Sequence, residues 1–352
     1  MSRNSGAIGF GGFLLGLGIG YLIFRNFALS LNDAAILLII LGVAIILTTI
    51  VRSVASNYGL HRIIGGFAGG LILSLILTQG LGLATSGNSP LPYSKTETMT
   101  YSGASNFNEV SLKLGSMNGE ITLSTWNKPE FSIASTITAM GMTQQDADNS
   151  FANLPKNLVN TNSSTKQSLT LVFSPQDTIS NPFKIRVDVK LPANSILDLD
   201  LTTSNAMIII TNVNGDNVNL RTSNSAIRFN NVNSTTVTGE TSNSQITGTV
   251  TSTTCNLSTS NGPISIQVHS GRIGDYKLQT SNSNIDVTIP TKVECRVDAS
   301  TSNSDVSIAI PNFVYSLNKD TSKAGQTSDF DSASIRISVE AQTSNSAIRI
   351  HN

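Results

Sequence analysis

From Leu199 to Asn352 the chain alternates apolar and polar residues in short runs, and pairs of runs are joined by one recurring polar tripeptide. Thr-Ser-Asn occurs at Thr203, Thr222, Thr241, Thr259, Thr280, Thr301 and Thr343. Its asparagines are therefore spaced by 19, 19, 18, 21, 21 and 42 residues, and a near-constant period of this size is the signature of a solenoid. Three and five positions after the Asn come pairs such as Ile208 and Ile210, Ile227 and Phe229, Ile285 and Val287, and Ile348 and Ile350. Six and four positions before it come Leu199 and Leu201, Val218 and Leu220, Cys255 and Leu257, Tyr276 and Leu278, and Val339 and Ala341. Alternation with a period of two on both flanks predicts a β-strand on each side of the tripeptide, with one face inward. The repeat at Asn243 keeps Ile246 but departs at Gly248.

The tripeptide itself reads as a corner. Asn adopts left-handed backbone angles and bonds its own neighbouring backbone, which suits a sharp turn between strands. Equivalent residues of stacked coils lie about 4.8 Å apart, so identical Asn side chains at one corner can bond up the stack as a ladder. The expected ladder is Asn118, Asn205, Asn224, Asn243, Asn261, Asn282, Asn303 and Asn345. Asn118 joins it because Ser116-Met117-Asn118-Gly119-Glu120-Ile121-Thr122-Leu123 repeats the corner pattern. Strands are also predicted at Phe131-Ser132-Ile133, 168–173 and 184–191, and a short helix at 143–154. Within the 42-residue spacing, Asp331 to Ile337 matches corner plus strand with Ser332 in the Asn place, which predicts a degenerate coil after an inserted loop at 311–330. The last coil is expected to leave an uncapped edge open to another chain.

The first 85 positions follow a different pattern. Apolar runs at 7–24, 34–51 and 63–84 each approach the ~20 residues a helix needs to cross a bilayer. They predict three transmembrane helices. A signal peptide fits less well, since a small-residue cleavage motif is missing and two more runs follow. Gly12, Gly16 and Gly20, and Gly66 and Gly70, stand at four-residue spacing, which lets helix backbones approach closely. Arg3, Arg52 and Arg62 fall on one side of the three runs and Arg25, offset by Asp33, on the other, so the N-terminus is expected inside and the C-terminal part outside. The predicted organisation is a membrane anchor at 1–86, a linker at 87–100 and an exported all-β domain at 101–352, with regular coils over 199–352. The fold class is a single-stranded parallel β-helix of about 20 residues per coil, preceded by three transmembrane α-helices.

Composition narrows the chemistry. The formal charge is zero and charged residues are 12%, so no general attraction to nucleic acid is implied. Solubility would come from neutral Ser, Thr and Asn. Cys255 and Cys295 fall in the inward register about two coils apart, too far for a disulfide. His61, His269 and His351 stand alone, so no metal site is expected. Asp146-Ala147-Asp148 begins like a calcium loop but lacks its Gly and closing Glu, and reads as a polar helix start. Asn162, Asn233 and Asn256 lie in glycosylation sequons. A polysaccharide-cleaving β-helix would need clustered carboxylates; Asp286, Asp298 and Asp305 are the candidates, and they do not occupy equivalent positions.

Met117-Asn118-Gly119-Glu120-Ile121, then Trp126 and the strand at Phe131, then Ile185-Arg186-Val187-Asp188-Val189-Lys190-Leu191-Pro192 and the Thr-Ser-Asn repeats resemble the putative-adhesin β-solenoid domains of prokaryotic envelope proteins. The resemblance covers about 101–352. It implies a single-stranded parallel β-helix at the cell envelope, with no catalytic residues and no cofactor. Relatives prefer Gly after the corner Asn, whereas here Ser dominates, with Gly only at Gly119 and Gly262. The expected function is a membrane-anchored, surface-exposed, non-enzymatic adhesin-like or envelope interaction protein. A membrane-embedded envelope sensor or regulator is the alternative, and a polysaccharide-active enzyme a weaker one. Expected partners are the lipid bilayer, a surface glycan or envelope protein, and a second copy through the spans or the C-terminal solenoid end.

Overall fold

The computed structural model describes residues 5–24, 67, 69–71, 73, 74, 91–173, 183–269 and 271–352. The chain divides into two compact units, Met1–Pro90 and Leu91–Asn352. In the first, helix α1 (Ser5–Phe24) covers the first apolar run. A Cβ at Gly16 would strike the backbone carbonyl of Phe67, and one at Gly70 that of Phe13, so both glycines stand where two backbones meet. Gly12 is buried in α1, Gly20 lies one turn from its end, and Gly66 lies outside the described residues.

Among the described residues no helix is long and apolar enough to cross a membrane. This corrects the expectation of three transmembrane helices and of a multi-pass cell-membrane protein with its N-terminus inside and its C-terminal domain outside. Glycine at positions 6, 9, 11, 12, 16, 18 and 20 contributes no side chain to an apolar surface. The run at 34–51 lies outside the described residues, as does most of 63–84.

The second unit is built from strands. β1 (Tyr93–Ala104), β2 (Glu109–Ser116), β3 (Gly119–Trp126) and β4 (Glu130–Gly141) precede helix α2 (Gln144–Asn153). β5 (Val159–Asn162), β6 (Lys166–Phe173), β7 (Phe183–Pro192) and β8 (Ile196–Thr203) follow it. Then come the long strands β9 (Ile208–Arg221), β10 (Ile227–Glu240) and β11 (Ile246–Ser258). β12 (Ile264–Val268), β13 (Gly274–Gln279), β14 (Ile285–Thr288), β15 (Glu294–Ser300) and β16 (Val306–Ala309) continue the pattern. The chain closes with β17 (Phe313–Lys319), β18 (Ser322–Thr327), β19 (Arg336–Gln342) and β20 (Ile348–His351).

These strands stack in two parallel columns that meet at the Thr-Ser-Asn corner. Strands entering the corner run in the order β6, β2, β8, β9, β10, β11, β13, β19, β15. Strands leaving it run β7, β3, β9, β10, β11, β12, β14, β20, β16. Inward side chains form one continuous core from Val110 and Leu112 through Ile208, Phe229 and Leu257 to Ile348 and Ile350. Each fully buried Val, Leu or Ile side chain contributes about 1.5–3 kcal/mol. Alternation supplies these residues from every second position, so the core runs the length of the stack.

Chain order and stack order differ at both ends. The first coil in sequence, β2 with β3, lies between β6–β7 and β8–β9. The last, β19 with β20, lies between β13–β14 and β15–β16. Antiparallel strands lie outside the stack at each end: β4 on β7, β1 on β4 and β5 on β6 at one, β18 on β15 and β17 on β18 at the other. Two expectations change here. Residues 331–337 form no coil of their own, because Phe330–Ser332 is a 3-10 turn and Arg336 already begins β19. The last coil leaves no open edge, because β20 is paired on both sides.

β9 and β10 turn a second corner at Asn212 and Asn231, whose φ angles of 55° and 58° are left-handed. Asn231 Nδ2 donates to Asn212 Oδ1 at 3.0 Å, so this corner too carries an amide pair. β11 has no such pair. Its register with β10 jumps from Phe229↔Gly248 to Val232↔Val250, which removes one residue and accounts for the short 18-residue spacing after Asn243. Gly248 absorbs the shortcut with a φ of 133°, a conformation that side chains rarely adopt.

Candidate functional site

All three residues of the tripeptide are used at the corner. The Ser carbonyl accepts two backbone N–H groups from the next coil, as in Ser242 N–H and Asn243 N–H to Ser223 O, both at 3.0 Å. The Asn amides form a ladder whose steps are 2.6–2.8 Å: Asn205 donates to Asn118, Asn224 to Asn205, Asn243 to Asn224, Asn261 to Asn243 and Asn282 to Asn261. It then follows the stack rather than the chain, with Asn345 donating to Asn282 and Asn303 to Asn345.

Thr points inward. Thr222 Oγ1 donates to Ala206 O at 3.1 Å, and Thr241, Thr259, Thr280, Thr343 and Thr301 make the same bond, one coil down, to Ser225, Ser244, Gly262, Ser283 and Ser346. Among these hydroxyls, that of Thr203, above the β2–β3 coil, lacks a partner. Periodicity assigns the Asn to a ladder and leaves the Thr without a role, although alternation places Thr two positions after inward Leu201 or Leu220. Because the Thr222 hydroxyl is buried and caps a carbonyl, Thr222→Val is expected to cost about 1–3 kcal/mol. A denaturant titration of the variant against the parent measures it.

What remains on the outside is a column of Asn amides and Ser hydroxyls, all exposed except the half-buried Asn118 and Ser204. Beside it runs an open groove of about 490 Å³ spanning neighbouring coils, lined by Thr202, Ser223, Ser242 and Ser260 together with Arg221 and Glu240. Arg221 Nε and Glu240 Oε2 are 3.1 Å apart. As an exposed pair they add little stability, but they place one charge of each sign in an otherwise neutral groove. A second groove of about 440 Å³ lies between β15 and the β17–β18 hairpin, with Arg296, Asp298, Tyr315 and Gln326 on its walls.

The carboxylates weighed as catalytic candidates are not brought together. Asp286 lies on β14, in the column leaving the corner, where His351 Nε2 is 3.2 Å from its Oδ1. Asp298 lies on β15, in the other column, and Asp305 is in the turn before β16. Among the described residues no group of three or more His, Cys, Asp or Glu could hold a metal ion. Asp146 belongs to a capping box: its backbone N–H donates to Thr143 Oγ1 at 3.1 Å, and its carboxylate accepts from Thr143 N–H at 3.0 Å.

Cys255 and Cys295 are unpaired and buried. Burial pushes the Cys295 thiol up to about 12, and it raises Cys255 and the Tyr276 hydroxyl as well. These groups fold in their protonated forms, so their contribution to stability is complete below the ordinary thiol value of 9.0 and is lost as pH rises toward about 12. The unfolding midpoint is expected to fall across that alkaline window, and both thiols to resist alkylation at neutral pH until the chain unfolds. Midpoints across a pH series and thiol counting with and without denaturant check both.

No protein-family model matches the chain, and no curated protein matches it. Among solved structures, it is similar to a putative cell adhesion protein from Clostridium sporogenes at 8% identity and a TM-score of 0.34, covering 73% of this chain and 99% of that one. A putative adhesin from Parabacteroides merdae is 11% identical with a TM-score of 0.29, covering 74% of this chain and 97% of that one. A putative lipid binding protein from Parabacteroides distasonis is 11% identical with a TM-score of 0.32, covering 75% and 98%.

Proposed function

We propose that this chain is a non-enzymatic interaction protein of the adhesin type, whose β-solenoid presents the corner column and its groove to an extended polar partner. The observation that carries the reading is the groove along Ser204, Ser223, Ser242 and Ser260. It repeats the same hydroxyl from coil to coil beside a hydrogen-bonded amide ladder. Those groups recur about every 4.8 Å along the stack. A polymer lying along the groove meets an equivalent hydroxyl at each step, so many weak hydrogen bonds add up without a deep pocket. The ladder fixes the amides in advance, which lowers the ordering cost of binding. A surface glycan or an extended segment of an envelope protein has this chemistry.

The test is a glycan array and a pull-down with the full chain, run beside Ser242→Trp. Tryptophan at this exposed corner fills the groove while leaving the inward Thr and the Asn ladder in place. The expected result is a specific polymer or protein partner that the variant no longer holds, with an unchanged unfolding midpoint. Equal binding by parent and variant would remove the groove as the site. Absence of any partner for the folded chain would remove the reading itself.

A further inference from the structure

The last coil is an insert. β19 and β20 enter between two coils that precede them in sequence, and they pair with both neighbours along both columns. Ser344 N–H and Asn345 N–H bond Ser281 O on one side, and Ser344 O accepts from Ser302 and Asn303 on the other. Thr343 Oγ1 donates to Ser283 O at 3.1 Å, while Thr301 Oγ1 donates to Ser346 O at 3.0 Å. Ile337, Val339, Ala341, Ile348 and Ile350 complete the core.

The two walls of this slot are matched to each other as well as to the insert. Tyr276 and Val297 both face Val339, Leu278 and Ala299 both face Ala341, and Val287 and Ile308 both face Ile350. Each wall pair is 21 residues apart, the same offset as Asn282 and Asn303. The coils at 274–288 and 294–309 could therefore stack directly with their inward and outward faces in register. The insert has no such freedom. Outside a slot, its apolar face meets water and its backbone loses partners on both edges, which costs too much to persist. A slot with these walls exists in every copy of the chain.

We propose that the Arg336–Asn352 coil is exchangeable between copies, so that two chains associate by each placing its last coil in the other's slot. The connection needed is present. Residues 328–335 link the β17–β18 hairpin to the insert, and eight extended residues reach about 27 Å. Their main attachments are at Phe330, whose ring lies 4.4 Å from the Arg296 guanidinium, and at Asp331, 3.2 Å from Arg296 Nη2. Ile335, just before the insert, is exposed. Exchange breaks both ladders of the insert before remaking them elsewhere, so it is slow at low temperature and speeds up near the unfolding midpoint. The proposal stands apart from the groove, since neither β19 nor β20 lines it.

The test uses full-length chains in which Cys255 and Cys295 are replaced by alanine and one cysteine is added at a facing position of the ladder. Asn282 and Asn345 are adjacent in the stack, and the spacing of neighbouring strands, about 4.8 Å, is within the range a disulfide spans. Differently tagged Asn282→Cys and Asn345→Cys chains are mixed, warmed toward the midpoint, cooled and oxidised. The expected product is a disulfide-linked pair carrying both tags, absent from either variant alone. The double variant in one chain serves as the positive control and is expected to close internally when kept dilute and cold. Failure of the mixture to cross-link while the double variant closes would overturn exchange. Failure of the double variant to close would overturn the slot itself.

Discussion

Replacing Gly248 with alanine is expected to lower stability by about 3 kcal/mol or more. Gly248 holds a φ of 133° where β11 cuts its second corner, and a Cβ there would overlap the backbone nitrogen, carbon and oxygen of Phe229. No rotamer change relieves a collision with main chain. The neighbour cannot retreat either, because Phe229 is pinned between Ile210 and Gly248 in the register of three long strands. Unfolding by urea, followed by tryptophan fluorescence from Trp126 and by circular dichroism, measures the loss. If Gly248→Ala unfolds at the parent midpoint, the shortened corner is not built as described.

Phe229→Ala is expected to cost about 3–5 kcal/mol, the range for emptying a fully buried aromatic site. Its ring reaches toward Gly239, where an added Cβ would lie 3.2 Å from Cζ, so the glycine on one part of the coil makes room for the ring on another. The two substitutions can be combined. Neighbouring sites usually couple, yet here the alanine at 248 meets the backbone of Phe229 and not its ring. The double variant is therefore expected to lose close to the sum of the single losses. Rescue of Gly248→Ala by Phe229→Ala would show that ring bulk, and not backbone approach, requires the glycine. The circular dichroism of the double variant at low temperature also reports whether the loss stays local or unzips neighbouring coils, since stability in a stack is shared with nearest neighbours.

Much of the coil was legible because its information is local. Alternation around Asn205 or Asn282 identifies inward residues without reference to any other coil, and a period near 20 says that coils recur. The order of stacking is not local. Asn282 could accept from Asn303, 21 positions later, or, as it does, from Asn345, 63 positions away, and both present the same amide. The registers of Val297 and Val339 against Tyr276 are likewise interchangeable, so periodicity cannot choose between them. Ser332 reads as a corner because Ile335 and Ile337 follow at the right offsets, but Ile335 is exposed and only Ile337 is buried. The Thr-Ser-Asn groove was half visible. Repetition marked the corner, while the contrast between a buried Thr and an exposed Ser follows only once the alternation is carried through the turn. The N-terminal runs were read by length and apolar content alone, a measure that counts Gly positions toward a span although they contribute no apolar side chain.

The strands laid directly on the ends of the columns, β4 on β7, β5 on β6 and β18 on β15, run antiparallel to them. A parallel coil presents evenly spaced, slanted hydrogen-bonding groups, whereas an antiparallel strand presents them in alternating close and wide pairs. β4, β5 and β18 therefore take the places where another coil of this repeat would be laid down, and they run against its direction. A structure made of near-identical layers is a natural seed for fibre growth, and here the change of strand direction acts as a stop codon written in geometry. On β6, β7 and β15 it ends the stack independently of how many more layers the sequence pattern would accept.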